Sequence, residues 1–237
     1  ADNTLMDFNM AEEYALERTL RSYGLPYDEE IHRVYHGINA ELWERLNRGE
    51  VKKEHLLIER FRHFYQEMNW KPKEDYVKIN QRYLESLSDC SALLEGAFDF
   101  CREMSEKCDL YIITNGVAST QRKRFSRSEI RPYIKDIFIS EEIGYQKPEQ
   151  EFFSFVFEHI PDFQKEKALI IGDTLSSDIE GANRVGVKSC WFNPKNLKNN
   201  TEIVISRLSL IQSKNSNKRD NKMRNKFYLH FFFPMLE

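Results

Sequence analysis

Apolar residues recur at helical spacing through residues 9–90, and then the rhythm changes. Ala11, Ala15 and Leu20 form a first stripe that stops at Gly24, with Pro26 beyond it. Asp28 is placed to cap a second run, in which Ile31, Val34, Tyr35, Ile38, Leu42 and Leu46 keep a 3.6-residue period up to Gly49. A third stripe passes through Leu57, Phe61, Phe64, Tyr65 and Met68, and a fourth through Tyr76, Ile79, Tyr83, Leu84 and Leu87. Four helices with short connections are predicted, a small bundle.

From residue 95 a helical stripe (Ala97, Phe98, Cys101, Met104) leads into the short apolar run Leu110–Ile113, closed by Thr114-Asn115-Gly116. A helix follows, then a strand-like run at 136–140 and a helix carrying Phe152, Phe153, Val156 and Phe157. The run 168–172, another helix up to Gly186 and the run 187–192 complete the pattern. Strands alternating with helices predict an α/β fold with a parallel, doubly wound sheet. Ligands of such sheets bind beyond the carboxyl ends of the strands, where Thr114, Ser140 and Asp173 all fall.

Composition narrows the class. With 41% hydrophobic residues among 237, the chain can bury a core, and no apolar run approaches the roughly 18–20 residues of a membrane-spanning helix. Nothing at the start reads as a secretory signal. Cys90, Cys101, Cys108 and Cys190 form no CxxC pair, so reduced thiols and a cytoplasmic protein are expected rather than disulfides or a zinc site. Residues 214–237 hold six basic against two acidic side chains, next to the aromatic run Phe227–Phe233. A basic stretch beside an aromatic one could lie on a membrane surface, but it lacks an amphipathic period, and the 213–237 tail is expected to lie outside the fold. The rest of the chain is acidic overall, which gives no electrostatic case for nucleic acid.

Four separated pieces carry candidate chemistry: Ala1-Asp2-Asn3-Thr4-Leu5, Ile113-Thr114-Asn115-Gly116, Gln146-Lys147-Pro148, and Gly172-Asp173 followed by Asp178. Carboxylate oxygens hold a hard cation; a lysine, a hydroxyl and backbone N–H groups hold phosphate oxygens. That set suits Mg²⁺-assisted phosphoryl transfer. Singly, each piece has a plainer reading: Asp173 and Asp178 as helix-start residues, Lys147 as a solvated lysine, Thr114 as a strand-end hydroxyl.

In this order and spacing the pieces resemble the four motifs of the haloacid dehalogenase (HAD) superfamily of hydrolases, over residues 1 to about 210. Leu42-Trp43, Arg48-Gly49-Glu50, Arg60-Phe61 and Ser140-Glu141-Glu142-Ile143-Gly144 are similar to the YjjG/YfnB-type pyrimidine 5′-nucleotidases. The resemblance implies a Rossmann-like HAD core with a parallel sheet (residues 1–8 and 91–212) and an inserted helical, C1-type cap (9–90) that closes over the site. It implies Mg²⁺-dependent hydrolysis of a phosphate monoester through an aspartyl-phosphate, with a pyrimidine nucleoside 5′-monophosphate as the expected substrate. Asp2 would be the general acid and base, its carbonyl also binding Mg²⁺. Thr114, with the Asn115 and Gly116 amides, would bind the phosphoryl group, Lys147 would neutralise it, Asp173 would be a direct metal ligand, and Asp178 a ligand or a residue that orients one.

One departure stands out. The nucleophile of the family is the first aspartate of DxDxT, two positions before Asp2, and residues 1–237 do not include it. The chain is therefore expected to be truncated within this motif, to lack the central strand that leads into it, and to be inactive as it stands. An alternative makes Asp2 the nucleophile with Thr4 at the +2 place, but a threonine is a poor acid or base. A sugar-phosphate phosphatase or phosphoglucomutase shares every core motif, and a non-catalytic pseudoenzyme fits the missing aspartate. A dehalogenase is disfavoured by Asp2.

Outside the motifs, His32 and His36 stand one helical turn apart and could share a metal, but with no third ligand nearby in the sequence they read as a helix face. Trp43, Phe61, Phe64 and Tyr65 read mainly as bundle core.

Overall fold

The computed structural model describes residues 1–198 together with the backbone of Val204–Ile205 and Leu229–His230. The chain divides into two compact units: Phe8–Ala92, and Ala1–Asp7 with Leu93 onward.

The helical unit contains α1 (Phe8–Ser22), α2 (Glu29–Asn47), α3 (Lys53–Glu67) and α4 (Tyr76–Leu87). Asp28 caps α2 as its position predicts, accepting from the Ile31 N–H at 2.9 Å, and Glu29 and Glu30 in the first turn complement the helix dipole. Asp75 does the same for α4 through the Lys78 N–H at 2.8 Å. Helix α1 packs on α4, and α3 on both α2 and α4. The core between them is aromatic: the Tyr35 ring lies 5.3 Å from both Phe61 and Phe64 and 5.5 Å from Tyr83, centroid to centroid. Ala11 and Ala15 give α1 a small-residue face on this core.

Arg60 is buried in the same layer. Its guanidinium carbon lies 4.6 Å from the Tyr83 ring centroid, and its nitrogens donate to Asn39 Oδ1 (3.3 Å) and Asn80 Oδ1 (2.5 Å). A buried charge needs such partners, so the two asparagines on the inner faces of α2 and α4 are there to hold Arg60.

The second unit begins, after the N-terminal loop, with α5 (Ala97–Ser105) and β1 (Leu110–Thr114). Then follow α6 (Ala118–Arg127), β2 (Ile134–Ile139), α7 (Ser140–Ile143), α8 (Gln150–Glu158), β3 (Leu169–Gly172), α9 (Glu180–Arg184) and β4 (Lys188–Phe192). Two further short strands are β5 (Val204–Ile205) and β6 (Leu229–His230). Among the described residues the named strands pair in parallel, β1 with β2, and β5-β4-β3-β6 in that order. β1 and β3 are buried along their whole length, which is why they read as unbroken apolar runs rather than alternating ones.

Two details differ from the sequence expectation. β2 starts two residues before Asp136, because the 3₁₀ turn Arg131–Tyr133 already delivers the chain to the sheet, and Ser140 opens α7 instead of ending the strand. After Asp173 the chain makes a π-helical turn, Leu175–Ile179, before α9 begins. Of the 213–237 tail, only Leu229–His230 lies within the described residues. Its backbone pairs with Leu169–Ile170 on the side of β3 away from β4, and also approaches β1.

None of the four cysteines is joined in a disulfide. Cys101 sits in α5 and Cys108 three residues past its end, and both are buried. Burial pushes the Cys101 thiol up to about 12, far from the range of a reactive thiolate. Among the described residues no helix is long and apolar enough to cross a membrane.

Candidate active site

The residues singled out by the motifs meet at the carboxyl ends of β1 and β3. Asp2 and Thr4 come from the N-terminal loop, a tight turn in which the Ala1 carbonyl accepts from the Leu5 (2.9 Å) and Met6 (3.1 Å) N–H groups. Asn3 takes φ 53°, a left-handed conformation that asparagine tolerates better than most residues. The loop is pinned from the other side by Leu94, whose N–H donates to Leu5 O at 2.9 Å.

That turn sends its two side chains to different partners. The Asp2 carboxylate is held by α6: Arg124 Nη1 lies 2.5 Å from Oδ1, and Gln121 Nε2 donates to Oδ2 at 2.8 Å. Gln121 Nε2 also lies 2.8 Å from Thr114 Oγ1, so one amide bridges Asp2 and the end of β1. Thr4 Oγ1 donates instead to Asp173 Oδ1 at 2.8 Å.

Gly116 explains how close Gln121 can come. A Cβ on that glycine would meet the Gln121 side chain at 2.6 Å. Its N–H donates to Thr114 Oγ1 at 3.1 Å, so hydroxyl and amide form one compact group at the strand end.

Lys147 is buried beside Asp178, with Nζ 2.6 Å from Oδ1. Its backbone is clamped by the Asn115 side chain, which donates to Lys147 O at 2.8 Å and accepts from Lys147 N at 2.9 Å. The side chain of Asn115 thus positions Lys147.

Asp178 reaches Lys147 because of two local features. In the π-helical turn the Thr174 carbonyl accepts from the Ile179 N–H at 3.4 Å as well as from the Asp178 N–H at 2.9 Å, and the Asp178 carboxylate folds back toward the strand, where its Oδ2 accepts from the Thr174 N–H at 3.2 Å. The carboxylate then lies against Gly172, where any Cβ would stand only 2.2–2.4 Å from its atoms. Gly172 is required by this approach. Gly172→Ala is expected to displace Asp178 from Lys147 and to cost about 1–3 kcal/mol of stability while the protein still folds, measured by thermal melts alongside circular dichroism.

Asp173 completes the group. Its carbonyl accepts from Trp191 Nε1 at 2.9 Å, and its Oδ2 accepts from Thr174 Oγ1 at 3.3 Å. Burial, and then the charge of Asp178, push its carboxyl above the ordinary carboxylate range. Two crowded carboxylates with one lysine among them make an acidic, oxygen-only donor set. That chemistry fits a hard dication such as Mg²⁺, with Asp173, Asp178 and the Asp2 carbonyl as the available oxygens.

The motif residues are therefore linked in one network: Asp2 to Thr114 through Gln121, the N-terminal loop to Asp173 through Thr4, Asp173 to Asp178 through Thr174, Asp178 to Lys147, and Lys147 to Asn115. Gln121, Arg124 and Trp191 belong to it but carry no motif. A signal for the first two does exist in the sequence: α6 is almost wholly polar, so part of its buried face has to be Gln121 and Arg124.

The model of the haloacid dehalogenase-like hydrolase family matches residues 1–192. The chain belongs to this family. It is 38% identical over 203 residues to the HAD-hydrolase YfnB of Bacillus subtilis, covering 86% of each chain. It is 35% identical over 202 residues to the pyrimidine 5′-nucleotidase PynA of Streptococcus pneumoniae, covering 85% of this chain and 84% of that one. It is 28% identical over 193 residues to the pyrimidine 5′-nucleotidase YjjG of Escherichia coli, covering 81% and 83%. The crystal structure of B. subtilis YfnB bound to magnesium superposes with a TM-score of 0.84 at 36% identity, over 90% of this chain and 95% of that one. The fold is thus the α/β architecture of the HAD hydrolases, a Rossmann-like core with an inserted helical unit.

Proposed function

We propose that the protein is a Mg²⁺-dependent phosphate monoester hydrolase that works through an aspartyl-phosphate and acts on pyrimidine nucleoside 5′-monophosphates. The observation that carries this reading is the buried Lys147–Asp178 pair beside Asp173 at the end of β3, in one network with Thr114 and Asp2. A cation and hydroxyl and amide donors set against crowded carboxylates suit a phosphoryl group and its metal far better than an uncharged substrate. The nucleotidase relatives support the choice of substrate.

When bound, Mg²⁺ supplies positive charge that offsets the phosphoryl oxygens. Thr114 Oγ1 and the neighbouring amides donate to those oxygens, and Lys147 neutralises the charge between phosphate and nucleophile. The nucleophile is the aspartate two positions before Asp2, which residues 1–237 do not include. Its carboxylate forms the new O–P bond as the bond to the nucleoside oxygen breaks. Asp2 would act as general acid in its protonated form, released from Arg124 and having taken its proton from solvent, and would give that proton to the leaving oxygen. The resulting carboxylate would then take a proton from the water whose oxygen attacks phosphorus as the aspartyl O–P bond breaks, returning Asp2 to its acid form.

The test uses the chain extended upstream by an apolar strand ending in aspartate. Phosphate release is measured with Mg²⁺ from dUMP, UMP, dAMP, a hexose phosphate and an aryl phosphate. The pyrimidine nucleotides are expected to have the highest kcat/KM. A preference for the hexose phosphate would make the protein a sugar phosphatase, and no release from any of them would reject the phosphohydrolase reading.

A further inference from the structure

The helical unit holds a second cluster of ligating side chains. Glu12 lies on the inner face of α1 with no exposed surface, an expensive place for a carboxylate unless it is compensated. Three residues of α2, on one stripe at positions i, i+4 and i+7, face it. His36 Nδ1 lies 2.6 Å from Glu12 Oε2, His32 Nε2 lies 3.4 Å from the same oxygen, and Asn39 Nδ2 donates to Oε1 at 2.7 Å. At that distance and angle His32 Nε2 makes no hydrogen bond, although the atom is buried.

We propose that Glu12, His32 and His36 form a metal site for a transition-metal dication of the zinc class. Their three donor atoms lie within 4.8 Å of one another. In a tetrahedral site with bonds of about 2.0–2.1 Å, neighbouring donors stand roughly 3.3–3.4 Å apart. The His32–Glu12 separation already has that value, and the His36–Glu12 pair has to open by less than about 1 Å to reach it. On loading, the His36 ring carries the metal on Nδ1 and its hydrogen on Nε2.

The donor set decides the metal class. Two imidazole nitrogens and one carboxylate suit Zn²⁺, Co²⁺ or Ni²⁺, whereas Mg²⁺ takes oxygen ligands. Both imidazoles keep some exposed surface, which gives the ion a way in and leaves a fourth position for water. Behind the carboxylate, Asn39 fixes Oε1 and is itself held by Arg60, which donates to Asn80. Such a supporting chain orients a metal ligand as well as it satisfies a buried charge.

The test titrates the chelator-stripped 237-residue chain with Co²⁺ in excess Mg²⁺, reading the visible absorption of cobalt. One Co²⁺ per chain with the bands of a nitrogen-ligated, four- or five-coordinate ion is expected, displaced by Zn²⁺. It is retained in Asp173→Asn, lost in His32→Gln/His36→Gln, and weakened about 10–100-fold in Asn39→Ser. A second readout needs no variant: Zn²⁺ should move the imidazole NMR signals of His32 and His36 and leave those of the other histidines in place. Co²⁺ absorption that vanishes in Asp173→Asn, or Zn²⁺ that leaves both imidazole signals unmoved, would overturn the proposal and leave Glu12 compensated by its contacts with His36 and Asn39.

Discussion

Lys147→Met in the extended chain is expected to lower kcat by about 10²–10³-fold or more, and to cost about 3–5 kcal/mol of stability. Both effects come from one atom. Nζ is the cation placed among the strand-end carboxylates, and it is also the partner of the buried Asp178 at 2.6 Å. Removing it leaves the buried Asp178 carboxylate without its main charge partner. The double variant Lys147→Met/Asp178→Asn separates the two roles. It should recover most of the lost stability, since no uncompensated charge remains, yet recover none of the turnover. Thermal melts and phosphate release on the wild type, both single variants and the double variant check this. A double variant that regains activity would show that Lys147 acts only as a structural counter-ion.

The second large effect runs in opposite directions for activity and stability. In the extended chain, Asp173→Asn is expected to reduce turnover by about 10²–10³-fold and to raise the Mg²⁺ concentration needed for half-maximal rate. In a Mg²⁺-free buffer at neutral pH it should nevertheless raise the melting temperature. Burial and the Asp178 charge place the Asp173 carboxyl above its unfolded value, so the native state binds the proton more tightly. As pH rises from the unfolded value near 3.8 through the folded one, the native chain loses stability. Asparagine keeps an acceptor for Thr4 without the charge, so that loss disappears. The gain should be absent below pH 3.8, where aspartate is protonated in both states. A melting temperature that falls in Asp173→Asn at neutral pH would contradict the crowded-carboxylate account. Sites that concentrate like charge for function commonly give up stability in this way.

Much of this was legible in the sequence, for reasons that can be named. Asp28 announces α2 because a cap and the helix it starts are neighbours in the chain, and β1 and β3 show as apolar runs because a parallel strand is buried on both faces. Thr114, Lys147, Asp173 and Asp178 stand out because each follows or precedes such an element at a fixed offset. What the pattern does not contain is the partner across elements. Gln121 and Arg124 look like surface residues of a polar helix until Asp2 is brought against them. Glu12 lies on a different helix from His32 and His36, so the spacing of the histidines alone supplies two ligands and not the third. The π-helical turn was also invisible, since it differs from an α-turn only in where the Thr174 carbonyl finds its donors.

The central claim is the proposal that this strand-end network is a phosphohydrolase site whose nucleophile would be an aspartate at the position two before Asp2. Its most direct test is phosphate release from dUMP by two extended chains identical except for aspartate or asparagine at that position, each with Mg²⁺ and with a chelator. Turnover is predicted only for the aspartate chain with Mg²⁺. Equal turnover by the asparagine chain, or turnover that survives the chelator, would contradict the account.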